Sequence, residues 1–412
     1  MPPLLRDNRL LIATFLGLRI MLLIAYQPVD QARPGVTTWG DFQHYFNLAA
    51  LSAPTTDHPG GSLPYRDYWY EFPPLFPLLS LATFSLTRQF TGYAVLLGLI
   101  MTAFDTANLL LVRRLGARLH GEATGMALGW VYAILAAPLV FAFWTFEPIV
   151  ACAILLALAA LIDRHDARSA MSIALGALTK YVPLVLLACV WRFRPWREAL
   201  RYTVIALALT AIGVGAMLAF GGPFGLPSLT AQFSKASYES VWALIDQNYK
   251  TGNFGPDSDH FDAAKASQLL GNPAVVPWWL RGLVFGALGL WVYAGTRRYD
   301  ARGIAAFAAI TITLFFLWSQ GWSPQWLVIL IPLILVNFPS RHGVLAILLL
   351  SGLSFVEYPL LFSRTGETGG AISGTQIPLF AMLVLARTAL LVGLAVALYS
   401  QLRTASRDIS QP

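Results

Sequence analysis

The sequence is short of charge and almost without cysteine. Of its 412 residues, 12% are Asp, Glu, Lys or Arg, whereas 57% are hydrophobic. A soluble domain carries about a quarter of its residues as charges. The shortage excludes an ordinary cytosolic enzyme, a disordered chain and a nucleic-acid binder. The net charge of +7 is therefore read by where it sits, not as a footprint for polyanions. Cys152 and Cys189 lie inside apolar runs, which excludes a disulfide scaffold or a multi-cysteine metal site. G-x-x-x-x-G-K-[ST], H-E-x-x-H and G-x-S-x-G are also missing, so ATP-driven, zincin and hydrolase-fold chemistry lose their usual anchors. No low-complexity tract or internal repeat is found.

What is present is apolar sequence of membrane length. A span needs roughly 20 apolar residues to cross ~30 Å of hydrocarbon. Residues 10–26 follow Arg6 and Arg9 but are interrupted by Arg19, with no small-x-small cleavage site after them. They read as a retained first helix with a cytoplasmic N-terminus, not as a secretory signal. Further runs are 93–112, 125–146, 148–162, 202–220, 279–295, 303–318, 326–338, 343–362 and 377–402.

Arginine placement decides two ambiguous stretches. If 72–86, with Pro73, Pro74 and Pro77, crossed fully, Arg113, Arg114 and Arg118 would face outward, against the positive-inside tendency. An amphipathic or re-entrant helix on the outer side keeps them inside. Residues 169–191 are split by Lys180 and Pro183. Two short helices meeting at Lys180 keep Arg192, Arg194, Arg197 and Arg201 inside and place the junction deep in the membrane or a cavity. The expected fold is an all-α membrane protein: one domain over 1–412, a bundle of about twelve transmembrane helices with both termini cytoplasmic. The long loops, 27–92 with interfacial helices and 221–278, are both external, and all four lysines (Lys180, Lys235, Lys250 and Lys265) fall on that side. Chemistry on a helical scaffold is usually mounted on such loops, so the working face is expected to be external.

The first loop places Asp41 beside Trp39, Phe42, Tyr45 and Phe46. An acid among interfacial aromatics can take a proton from an acceptor hydroxyl; Asp is also a helix N-cap. Next, Arg66, Asp67 and Glu71 stand among Tyr65, Tyr68, Trp69 and Tyr70, as in a sugar site or an aromatic belt. Glu147 opens a helix, either as a first-turn carboxylate favoured by the helix dipole or as a second acid near Asp41 orienting a sugar hydroxyl or a metal. Lys180 is an ammonium at depth, expensive unless paired or wet. It suits a phosphate as a compact point charge, or pairs structurally with Asp105. Trp322, Ser323 and Gln325, at an external helix end, offer sugar contacts or caps. Asp257, Asp259, His260 and Asp262 lack EF-hand spacing. They are expected to form a solvated loop with a surface histidine. Arg19, Asp105, Glu357 and Arg387 read as buried structural pairs.

GDFQHYFNLA, PYRDYWYEFPPLFPLL, TFEPIVA, LGALTKYVPLVLL and WSPQWLVILIPL together resemble the GT-C superfamily of membrane glycosyltransferases. They are most similar to glycosyltransferase family 87, the polyprenyl-phosphate-mannose-dependent mannosyltransferases. The resemblance implies that Asp41 is the general base, that Lys180 binds the carrier-lipid phosphate and that Glu147 is the acid opening the fourth helix. Related aminoarabinose transferases have Glu-Lys-Pro-Pro where Glu71-Phe72-Pro73-Pro74 stand here; the lysine is missing, and Arg66 is a possible substitute. The implied reaction moves one sugar, mannose by family default, from a polyprenyl-phosphate donor to a hydroxyl acceptor on the external face, with inversion. Tyr45, Tyr65, Asp67, Tyr70, Glu71, Trp322 and Gln325 join Glu147 as candidate sugar or acceptor contacts. No protein metal ligands are assigned; a divalent cation is left open as a cofactor. The expected partners are the lipid-linked donor, a glycolipid or glycan acceptor and membrane lipids, at the plasma membrane and without nucleic acid.

Two rival readings use the same composition. A flippase or secondary transporter places its site near the midplane, often between repeated halves, whereas here the polar residues gather at one face. A glycan polymerase or ligase is expected to use external arginines, and few are available: Arg33, Arg66, Arg88, Arg281 and Arg364.

Overall fold

The computed structural model describes residues 2–25, 41–56, 59–135, 143–251, 256–365 and 370–404. Tyr26, Arg33 and Trp39 lie outside them. The described residues contain no β-strand, only isolated bridges. The helices are α1 (Asn8–Ala25), α2 (Asp41–Ala50), α3 (Leu75–Thr87), α4 (Phe90–His120), α5 (Glu122–Ile134), α6 (Glu147–Ile162), α7 (Asp166–Ala177), α8 (Leu187–Phe193), α9 (Trp196–Phe220), α10 (Gly222–Thr230), α11 (Trp278–Gly295), α12 (Ala301–Trp318), α13 (Leu327–Asn337), α14 (Arg341–Phe355) and α15 (Gln376–Arg403), with shorter turns between.

Six of these are long and apolar enough to cross a membrane: α1, α4, α9, α12, α15, and α14 with its continuation to Leu361. The chain is a multi-pass membrane protein. Shorter apolar helices are Leu75–Thr87, Glu147–Ile162, Val182–Phe193 and Pro324–Asn337. A total of twelve crossings requires such shorter helices to count as spans; length and composition support six.

The apolar runs separate into core and periphery. Every residue of α13 is buried, as is nearly all of α6. A helix apolar all round belongs inside a bundle or against lipid, and α13 is inside, packed on α4, α6, α12 and α14. By contrast α9 exposes Leu200, Val204, Leu207 and Ile212, an outward apolar face that suits hydrocarbon. Where α4 meets α5, a Cβ on Gly125 would come within 2.5 Å of the Arg113 carbonyl oxygen, so the backbones approach as closely as small residues permit.

Buried charges fasten the bundle. Arg19 Nε donates to Asp105 Oδ2 at 2.9 Å, and Tyr132 donates to Asp105 Oδ1 at 2.5 Å, joining α1, α4 and α5. Arg387 of α15 reaches both Glu357 oxygens at 2.5 Å. These are the structural pairs expected from the sequence, but Asp105 is taken by Arg19 and does not serve Lys180. The other expected elements take these forms. α3 has 13 residues, ~20 Å at 1.5 Å per residue, too short to cross alone. α7 and the segment Val182–Phe193 are two short helices with Lys180 at their junction.

Candidate active site

The site forms where three chain breaks converge: the start of α2, the α7–α8 junction and the start of α13. The Leu75 amide at the head of α3 donates to the Leu178 carbonyl at 2.9 Å, which fixes the first-loop helix against the junction. The Lys180 amide donates to the Gly176 carbonyl at 2.8 Å. A Cβ on Gly176 would meet Ala153 Cβ at 2.7 Å and Pro183 Cγ at 2.8 Å. Only glycine lets α7 lie on α6 while the chain folds back.

From that junction Lys180 Nζ donates to Glu147 Oε1 at 2.5 Å. Glu147 is 1% exposed and the lysine side chain 19%, so the lysine is the more accessible member of the pair. Its floor is aromatic: Nζ stands 5.4 Å from the Phe146 ring centroid and 5.6 Å from that of Trp326. Phe146 stacks on Phe76 at 4.2 Å, and Phe76 meets Tyr45 at 4.6 Å. Glu147 Oε2 is buried and accepts no hydrogen bond from any described residue.

Asp41 is held differently. Its Oδ2 accepts from Tyr45 Oη at 3.0 Å and from Gln325 Nε2 at 3.1 Å, and it has no direct cationic partner among the described residues. Tyr45 lies four residues on, one helical turn away. Burial, with Glu147 next in weight, raises the Asp41 pKa to about 7, against the lowering pull of Tyr45 and Lys180. Desolvation and a neighbouring carboxylate both penalise the charged form.

Glu71 is a third acid near the site, and it is buried. Lys235, from the second long loop, forms an ion pair with it. Burial raises the Glu71 carboxyl, but Lys235 and other basic neighbours outweigh it and hold the pKa below the ordinary value. Sequence reasoning missed Lys235: it was one of three lysines in the second long loop, with no spacing to link it to Glu71, 164 positions away.

The remaining candidates divide. Tyr65 donates to the Phe72 carbonyl at 2.7 Å with a left-handed backbone, φ +68°, strained for a tyrosine. Tyr70 is buried and its hydroxyl has no partner among the described residues. Trp322 is buried under the Arg387 guanidinium at 4.6 Å and stands 5.5 Å from Trp326, in the wall behind Lys180. Arg66 forks onto Asp67 at the surface, with 55% of its side chain exposed, away from the buried pairs. His260 is a correction: instead of sitting in a solvated loop it is 1% exposed, stacked on Trp69 at 4.0 Å. Asp257 is likewise engaged, accepting from Asn47 at 2.8 Å and lying 3.2 Å from His44 Nδ1. No group of three His, Cys, Asp or Glu among the described residues is placed to hold a metal ion.

The profile of glycosyltransferase family 87 matches residues 70–319, more than half of the chain. The chain belongs to glycosyltransferase family 87. The matched stretch holds Glu71, Glu147, Lys180 and Lys235, while Asp41 and Gln325 flank it. No curated protein matches the sequence. Among solved structures, the chain is similar to the oligosaccharyltransferase of Archaeoglobus fulgidus, with a TM-score of 0.42 and 13% identity over 97% of this chain and 57% of that one. It is also similar to ArnT of Cupriavidus metallidurans, solved bound to undecaprenyl phosphate, with a TM-score of 0.44 and 12% identity over 96% and 78%. The chain thus spans little more than half the length of the oligosaccharyltransferase. It is a family 87 protein with six apolar helices of spanning length.

Proposed function

We propose that this family 87 enzyme transfers one sugar, mannose being the family's default, from a polyprenyl-phosphate donor to a hydroxyl acceptor at the external face, with inversion. The observation that carries the reading is the pairing of unlike devices at one site. A largely buried lysine stands on a hairpin tip beside a buried acid, and a second carboxylate with a raised pKa is held by neutral donors next to it. The lysine suits a departing phosphate. The carboxylate suits an incoming hydroxyl.

The acceptor oxygen attacks the anomeric carbon as the bond from that carbon to the phosphate oxygen breaks. The phosphate leaves with the electron pair, its charge opposed by Lys180 in a low-dielectric setting where such stabilisation is worth most. The hydroxyl proton passes to Asp41. At an ordinary pKa of 3.8 a carboxylate is a feeble base; raised to about 7, it is matched to neutral pH. Glu147 orients Lys180, and its unpartnered Oε2 is available to a sugar hydroxyl. Lys235 on Glu71 supplies the cation that the Glu-Phe-Pro-Pro sequence lacks, in place of Arg66. The chemistry requires the external leaflet only in that the donor is lipid-borne and no nucleotide is needed there.

The test is a panel of radiolabelled polyprenyl-phosphate sugars, mannose first, incubated with protein in lipid vesicles and membrane glycolipid extract. Label moving to an acceptor supports the reading and identifies the sugar. Binding without transfer for every donor, or net translocation of the intact donor, would favour the flippase reading.

A further inference from the structure

The helices that build the site run on to a second polar feature at their other ends. α13 starts beside Gln325 and ends at Asn337, and α12 ends at Trp318 beside the Trp322 wall and starts at Ala301. α4 starts at Phe90, which meets Phe46 of α2 at 5.2 Å, and ends at His120. The distance along α4 is ~45 Å at 1.5 Å per residue, so this end belongs to the opposite membrane surface.

Between these ends lies a cavity of about 160 Å³ whose polar lining is His120, Arg298, Arg302, Asn337 and Gln401. That is room for several water-sized groups, and no carboxylate lines it. Arg298 is oriented by Asp300, which accepts from its Nε at 2.8 Å and its Nη2 at 3.0 Å. Arg302 donates only through Nε, to the Leu119 carbonyl at 2.9 Å, so its Nη atoms have no protein acceptor among the described residues. His120 Nε2 contacts the Val336 carbonyl at 2.8 Å. The Arg297 and Arg298 amides both donate to the Leu402 carbonyl, which brings Arg297 and Arg403 beside the cavity, so the local field is positive. The adjoining surface is apolar: Trp291, 57% exposed, lies against Tyr399 at 4.3 Å, and Val396 is 63% exposed.

We propose that this cavity binds an anionic phosphate group, carried by a lipid headgroup or free in solution. Basic pockets between transmembrane helices are where anionic headgroups bind, and a planar guanidinium with free Nη atoms is suited to grip a phosphate. The apolar rim gives a lipid's chains somewhere to lie, which a free ion does not use. The site is remote from Lys180 and independent of the transfer reaction.

The test is native mass spectrometry and thermal stability of the full-length protein in neutral detergent, titrated separately with phosphatidylglycerol, phosphatidylcholine and inorganic phosphate. Arg298→Gln/Arg302→Gln is compared with Arg341→Gln, an arginine at the same end outside the cavity. Phosphatidylglycerol or phosphate retention should fall about 25-fold in the double variant, roughly fivefold per arginine, and stay unchanged in the control. Loss confined to phosphatidylglycerol assigns the lipid; loss of inorganic phosphate binding as well assigns the free anion. Equal retention by wild type and double variant, with both folded, overturns the proposal.

Discussion

In the proposed reaction Asp41 and Lys180 divide the work at the residue scale, and the surroundings of Asp41 say which way it is tuned. Burial and Glu147 raise Asp41 to about 7, so the reactive carboxylate form is lost as pH falls through 7. kcat/KM for transfer should rise with pH, with a limb near 7, and level off above it. The Tyr45 hydrogen bond lowers this pKa, so Tyr45→Phe should move the limb to higher pH. Glu147→Gln removes a carboxylate that raises it and should move the limb to lower pH, by a unit or less in each case. A pH–rate series on the three proteins checks both signs, and a limb fixed across the series would contradict the electrostatic account. Asp41, Glu147 and Lys180 stood out as candidates from residue type and local setting, and the fold brings the three together. Lys235 was not, because nothing local marks an ion pair made between two loops.

Helices position these groups, and the weak points lie where backbones touch. Gly176 has no space for a side chain against Ala153 and Pro183. Gly176→Val should destabilise the protein by about 1–3 kcal/mol through overpacking and displace Lys180, read as a lowered Tm together with weakened donor binding. The Arg19–Asp105 pair is buried on both sides, at 1% and 0% exposure. Asp105→Asn leaves an uncompensated guanidinium and should cost about 3–5 kcal/mol without changing the pH limb of residual activity, because Asp105 does not touch the site. Helices α4, α12 and α15 were legible as long apolar runs. The hairpin at Lys180 was legible from Pro183 and the arginines around it. The burial of His260 was hidden, since its partner Trp69 lies 191 positions away and the sequence around it reads as a polar loop.

At the scale of the whole molecule, the bundle gathers its unlike polar devices at opposite ends, with apolar α6 and α13 between them. The class of protein follows from composition, since 57% hydrophobic residues leave few options outside a membrane. The number of crossings does not, because α6 and α13 are equally apolar yet short and internal. Family membership came from five dispersed motifs and agrees with the family profile over 70–319; the sugar is set by side-chain positions around the site that motifs do not encode. The most direct measurement is transfer of labelled sugar from polyprenyl-phosphate-mannose by Asp41→Asn beside wild type, with donor affinity measured on both. The account predicts transfer reduced by at least about 10²-fold, the contribution of a positioned base, with donor affinity unchanged because Lys180 and Glu147 are intact. Transfer at the wild-type rate in Asp41→Asn would contradict it.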